Sequence, residues 1–301
     1  MRRKLEYLVV LALIRSLGLL PRNAARHVGA MIGALAFIFL RRLRRVGYFN
    51  LGIAFPQLSI ADRTSLLRAE YRNLGWLLAE FCQMRKYTPE NTRSFLGYDG
   101  LEHYLSARKA GYGVLILTGH LGAWELSSFY HSLMGYPMSI VIRRLDNELV
   151  DGLVNGIRCQ HGNKVVHKDD FARGLISAMK QGETVGILMD TNMTPPQGLF
   201  VDFFGTAACT ASGMARVALK TGAAVLPGFL LWKESSQRYV LHFGERLELI
   251  RSGHNEADVA ANTALFTKVI EDYIRRYPGQ WLWLHRRWKT RPEGEPPLYS
   301  K

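Results

Sequence analysis

Leu115-Ile116-Leu117-Thr118-Gly119-His120-Leu121-Gly122-Ala123-Trp124-Glu125 decides how the chain folds. A short apolar run ends at a threonine, two glycines bracket a histidine, and Trp124 opens a stretch with helical spacing of its apolar residues. The segment therefore reads as a buried strand (Gly113–Leu117), a tight turn, and a helix (Trp124–Met134), with Gly119 and Gly122 freeing the backbone to leave His120 exposed at the turn. Outward from it the same alternation recurs. Strands are predicted at Met138–Ile142, Thr184–Met189 and Ala223–Leu230, with helices over Asn147–His161, Phe171–Lys180 and Ala211–Thr221. That order predicts an α/β domain around a mostly parallel sheet flanked by helices. Tyr239–Phe243 reads as a later edge strand and Ala257–Arg276 as a last long helix. In such sheets chemistry gathers beyond the carboxyl ends of the strands, which singles out Thr118–Glu125 and Asp190–Gly198.

Upstream of this domain the composition changes. Leu5–Leu20 is mostly apolar, interrupted by Glu6 and Arg15, and Val28–Leu40 carries no charge before Arg41, Arg42, Arg44 and Arg45. A membrane span needs roughly 20 apolar residues, so Val28–Leu40 is expected to sit in or on a bilayer, its basic end against anionic lipid of the cytoplasmic leaflet; a buried core helix is the alternative. Residues 1–45 are thus expected to be a hydrophobic anchoring segment, and residues 46–301 the catalytic domain. Ser59-Ile60-Ala61-Asp62 has the form of a capping box ahead of a helix reaching about Lys86, and Thr88-Pro89 marks another helix start. Lys and Arg total 39 against 25 Asp and Glu, a net charge of +14 that calls for an acidic partner. No recognition motif accompanies the charge, which makes nucleic acid the weaker choice, and no nucleic-acid partner is expected. Cys82, Cys159 and Cys209 are too scattered for a disulfide framework or a zinc site.

An imidazole at a strand-to-helix turn can accept a hydroxyl proton near neutral pH, and a nearby carboxylate can fix its tautomer and stabilise the imidazolium. His120 and Glu125 have that relation. No Gly-x-Ser-x-Gly elbow supplies an enzyme nucleophile and no His-Glu-x-x-His supplies a zinc site. The histidine would then activate a substrate hydroxyl directly. His103, His131, His161 and His167 read as structural or surface residues.

Gly119-His120-Leu121-Gly122-Ala123-Trp124-Glu125 resembles the His-x4-Asp/Glu motif of glycerolipid acyltransferases, in the form used by the lipid A late acyltransferases. Further blocks match in order. Ile142–Asp151 resembles the family's second block, with Arg143 at its arginine. Asp190 stands where the family has an acidic residue at a strand end. Phe200–Gly205, Thr210 and Lys220–Ala223 resemble the core segment, and Trp283–Pro292 the C-terminal signature. The similarity covers nearly the whole chain. It implies a glycerolipid-acyltransferase-like fold with an N-terminal hydrophobic helix, and transfer of a fatty acyl chain from acyl carrier protein or acyl-CoA to a hydroxyl of a lipid A-type glycolipid precursor. His120 would be the general base, oriented by Glu125. Arg143 would bind phosphate or developing charge, Asp190 would position by hydrogen bonding, and Arg286 and Arg287 would meet anionic lipid or carrier. Trp281, Trp283 and Trp288 would suit a membrane interface, although a buried C-terminal strand would look similar. No cofactor or metal is implied, and the expected location is the bacterial inner membrane with the site at its cytoplasmic face. The sequence departs from many relatives at Thr191-Asn192, where a glutamine often follows the aspartate, and at Arg144, where proline is common. Both leave the acceptor open: another glycolipid such as a phosphatidylinositol mannoside remains possible, as does a membrane-bound lipid hydrolase using the same pair.

Overall fold

The computed structural model describes residues 1–167 and 171–299. Four helices come first: α1 (Arg2–Leu19), α2 (Arg22–Phe39), α3 (Arg41–Ala54) and α4 (Ile60–Gln83). Strands and helices then alternate, through the short α5 (Pro89–Thr92), β1 (Leu96–Asp99), α6 (Leu101–Lys109), β2 (Val114–Thr118), α7 (Trp124–Leu133), β3 (Ser139–Ile142), α8 (Glu148–Arg158), β4 (Lys164–His167), α9 (Phe171–Lys180) and β5 (Thr184–Leu188). A hairpin of β6 (Gly198–Phe203) and β7 (Thr206–Ala211) follows, then α10 (Gly213–Thr221), β8 (Ala224–Lys233), β9 (Arg238–Phe243) and α11 (Asn255–Arg276). Both expected helix starts are closed as capping boxes. Asp62 N–H donates to Ser59 Oγ at 3.1 Å, and Thr88 exchanges the same pair of bonds with Asn91.

The seven-stranded sheet has the order β1-β9-β8-β2-β5-β3-β4, with β2 at its centre between β8 and β5. β8, β2, β5, β3 and β4 run parallel, as the alternating pattern predicts. β9 returns antiparallel to β8, and β1 lies parallel to β9. Tyr239–Phe243 is therefore an inner strand rather than an edge, because Leu96-Gly97-Tyr98-Asp99 covers it. That four-residue strand has no β-branched residue to announce it. β2 is buried along most of its length, which suits a strand covered by helices on both faces.

The first helices pack onto this domain. α2 has two faces. Ala25, Gly29 and Gly33 turn inward onto α4, where a methyl at either Gly29 or Gly75 would run into the other's carbonyl, so the two backbones meet directly. Met31, Leu35, Ile38 and Phe39 face outward, all more than half exposed, as do Leu5, Leu8 and Val9 of α1. Large apolar side chains outside and small ones inside reverse the usual arrangement of a helix on a soluble domain. Among the described residues no single helix is long and apolar enough to cross a membrane, and α2 with α3 meets that length and composition only as a pair bent by 87°.

Candidate active site

Register brings the two singled-out strand ends together. β2 and β5 pair in parallel with Thr118 opposite Leu188, so residues 120 and 190 emerge level beyond adjacent carboxyl ends. The loops then close the gap. His120 Nδ1–H donates to Asp190 Oδ1 at 2.8 Å, and the His120 backbone N–H donates to Oδ2 at 2.7 Å. Gly119 makes this approach possible, since a Cβ there would sit 3.0 Å from the Asp190 carboxyl. Trp281 Nε1–H donates to the same Oδ2 at 2.8 Å. Burial pushes the Asp190 carboxyl up, but the neighbouring His120 charge and the hydrogen bonds from His120 and Trp281 outweigh it and bring it down to about 2. Asp190 is thus a buried carboxylate, and the bond to Nδ1 directs the lone pair of a neutral His120 ring to Nε2.

The orienting contact expected of Glu125 is made by Asp190. Glu125 lies in the first turn of α7, past the turn that carries His120, and its carboxylate faces α8. There Arg158 holds it in a two-point ion pair, Nε to Oε2 at 2.8 Å and Nη2 to Oε1 at 2.6 Å. Arg143 follows the end of β3 on the same edge of the sheet and is largely exposed, with an ion pair to exposed Asp146 at 3.3 Å. Arg286 is half-buried, its guanidinium 5.6 Å from the centre of the Tyr299 ring. Arg287 departs from expectation because it is fully buried. It donates to Cys209 O at 2.8 Å and to Thr210 Oγ1, tying the C-terminal segment to β7, so it meets neither lipid nor carrier. Burial lowers its pKa to about 10 against the opposing charge of Asp190. The three tryptophans are likewise core residues, each at most 1% exposed, with indole N–H groups given to Asp190, Pro278 O and Thr206 O. Among the described residues no three metal-ligating side chains gather.

The segment 278–290 acts as a strap across the turn that carries His120. Leu282 N–H donates to His120 O and Gly122 N–H to Gln280 O, both at 3.0 Å. Gly122 adopts φ +67 there, and a side chain would strike Leu230 O. The first helices hold the strap in turn. Asn50 of α3 donates to Trp283 O and His285 O at 2.7 and 2.8 Å, and Asn73 of α4 to Gly122 O at 3.1 Å. His285 is thereby set beside the His120–Asp190 pair, near enough for both charges to act on its ring, and burial lowers its pKa to about 4. Arg158, Trp281 and His285 were not assigned to the site from sequence, because their contacts arise only when distant segments meet.

Apolar space adjoins this centre on both faces of the sheet. Between α7 and the sheet lies a cavity of about 60 Å³ whose lining includes Trp124, Glu125, Arg158, Ile140, Leu188 and the bare backbone of Gly186. On the opposite face a cavity of about 450 Å³ begins at Thr191 and runs along Val141, Ile187, Met189 and Met214.

Known proteins resemble this chain along most of its length. The chain is 29% identical to the lipid A biosynthesis palmitoleoyltransferase of Escherichia coli (strain K12) over 281 residues, covering 93% of this chain and 90% of that protein. It is 29% identical to the lauroyltransferase of the same strain over 282 residues, with the same coverage, and 23% identical to its myristoyltransferase over 290 residues, covering 96% and 88%. The profile of the bacterial lipid A biosynthesis acyltransferases matches residues 1–290. With a strand-end histidine and carboxylate beside apolar cavities and a family match along nearly its whole length, the chain belongs to the bacterial lipid A biosynthesis acyltransferases and is an acyltransferase.

Proposed function

We propose that the chain transfers a fatty acyl group from an acyl thioester, carried by acyl carrier protein or coenzyme A, to a hydroxyl of a lipid A-type glycolipid precursor, with His120 as general base. The observation that carries this reading is the Nδ1–H bond from His120 to buried Asp190 at a strand-to-helix turn. Nε2 takes the acceptor's hydroxyl proton while the oxygen attacks the thioester carbonyl. The imidazolium, stabilised by Asp190, returns that proton to the departing thiolate. Ester and free thiol result, and no cofactor or metal takes part. Glu125 serves by fixing the start of α7 through Arg158 at the lining of the smaller cavity. Exposed Arg143 meets a phosphate group of the glycolipid or carrier. The larger apolar cavity, of about 450 Å³, suits the hydrocarbon of a lipidic reactant.

The exposed stripe of α2 and the apolar residues of α1 support seating on the inner membrane, with Arg41, Arg42, Arg44 and Arg45 toward anionic head groups and the site at the cytoplasmic face. The decisive experiment is purified His120→Ala in an assay with thioester donor and glycolipid precursor. Turnover is expected to fall by about 10²–10⁴-fold with the melting temperature retained. Wild-type turnover in that variant rules out the base, and thioester consumption independent of acceptor favours hydrolysis instead.

A further inference from the structure

Attack on a thioester turns its carbonyl oxygen into an oxyanion, and the largest single contribution to such catalysis is a preorganised donor at that oxygen. The catalytic turn has little to offer. The N–H groups of four consecutive residues are engaged elsewhere: His120 to Asp190, Leu121 to Gly119 O, Gly122 to Gln280 O and Ala123 to Leu230 O. Among side chains, Trp281 is bonded to Asp190, Arg158 to Glu125, and Arg287 to β7 and the loop after Asp190. Arg143 is too exposed to be a fixed donor.

His285 differs from all of these. Its Nε2 receives the backbone N–H of Asn192 at 3.0 Å. A backbone amide only donates, so Nε2 must carry the lone pair and the ring proton must sit on Nδ1. The tautomer is fixed by the fold, and the lowered pKa described above keeps the ring neutral. Its backbone is pinned by Asn50, and its own N–H reaches Leu282 O at 3.4 Å, the residue bonded to His120 O. Among the described residues no acceptor takes the Nδ1 proton, in contrast to the filled donors around it.

We propose that His285 is a catalytic residue that donates its Nδ1–H to the thioester carbonyl oxygen as the tetrahedral intermediate forms. The inference rests on His120 acting as the base. The acceptor oxygen bonds to the carbonyl carbon, its proton passes to His120, and the carbonyl π pair moves onto oxygen, where the His285 N–H meets it. When the pair returns, the carbon–sulfur bond breaks and sulfur takes the proton from His120. His285 neither gains nor loses a proton, which suits a neutral imidazole that polarises rather than titrates.

The test uses the full chain in detergent, comparing His285→Phe, which keeps a ring without a donor, with His285→Asn, whose amide N–H mimics Nδ1–H. His285→Phe is expected to lower kcat by about 10²–10³-fold with KM little changed, and His285→Asn to recover much of that loss. A phosphonate analogue of the tetrahedral intermediate should bind His285→Phe more weakly by the same factor, while an acyl thioether, which has no carbonyl, binds it as it binds wild type. Wild-type kcat in His285→Phe overturns the proposal in favour of the first-turn amides of α7. Equal weakening of both analogues, or an asparagine variant as slow as the phenylalanine one, overturns it in favour of a structural role. If phenylalanine prevents folding, His285→Leu carries the same comparison. Failure of the base reading has a separate signature, full activity in His120→Ala, whatever His285→Phe does.

Discussion

Two carboxylates bear on His120, one five residues along the chain and one on its ring, and the fold treats them oppositely. Asp190 is buried, receives N–H groups from the His120 ring, the His120 backbone and Trp281, and among the described residues has no permanent cation in ion-pair contact. Glu125 is paired at both oxygens with Arg158. A carboxylate already neutralised by a guanidinium has little charge left for a transient imidazolium, whereas one held only by dipoles and the imidazole itself keeps nearly all of it. The short spacing between His120 and Glu125 therefore marks the turn, while the carboxylate bonded to the His120 ring comes from a residue seventy positions later.

Asp190→Asn is the strongest way to break this comparison. The amide keeps its shape and can still accept from Trp281, but loses the charge, so kcat should fall by about 10²–10⁴-fold while the protein remains folded. An active Asp190→Asn enzyme would return the orienting role to Glu125. The next effect is Glu125→Gln, which leaves partly buried Arg158 without its counter-charge. It should destabilise by about 1–3 kcal/mol and cost less turnover than Asp190→Asn. Adding Arg158→Met should restore melting temperature, and a Glu125→Gln enzyme as slow as Asp190→Asn would show that the pair is catalytic in its own right.

A pH series sharpens the contrast more gently. Asp190 is depressed to about 2, so its contribution is complete above the ordinary carboxylate range and is lost only as pH falls from about 4 toward 2. His131 and His285 are buried as neutral rings and lowered to about 3 and 4. The unfolded chain therefore takes up their protons first, and stability declines as pH falls below 6.5. Melting temperature should drop between pH 6.5 and 4 through these histidines, and His131→Phe should flatten that slope; an unchanged slope assigns the loss elsewhere. The smallest expected effect is Arg143→Ala. Loss of one exposed contact of about 1 kcal/mol should raise KM by roughly threefold to tenfold with kcat retained, and unchanged KM would separate Arg143 from substrate binding.

Much of this was legible before any coordinates. The Leu115–Glu125 segment, the capping boxes at Ser59 and Thr88 and the strand ends at Thr118 and Asp190 all follow from local chemistry, and local chemistry is what a sequence displays. That β2 and β5 are neighbours is a fact of sheet order, so the pairing of residues 120 and 190 was not available. The same limit governs the tryptophans and Arg287. Side-chain type announces apolar area and charge, but not which side of the molecule receives them. The Trp281, Trp283 and Trp288 rings close the core, while Met31, Leu35 and Ile38 remain outside. Arg158 carried no local signal, because its partner lies on another helix.

The strap has a consequence in time as well as in space. Residues 278–290 are synthesised after every helix and strand they close over, yet Trp281 completes the hydrogen bonding of Asp190 and Leu282 fastens the turn that carries His120. During translation the apolar helices α1 and α2 emerge well before the strap, so their exposed faces are in place long before the His120–Asp190 pair can be assembled. The bonds that close the pair are then among the last the polypeptide can form, and a ribosome paused before Trp281 would leave Asp190 without one of its three donors.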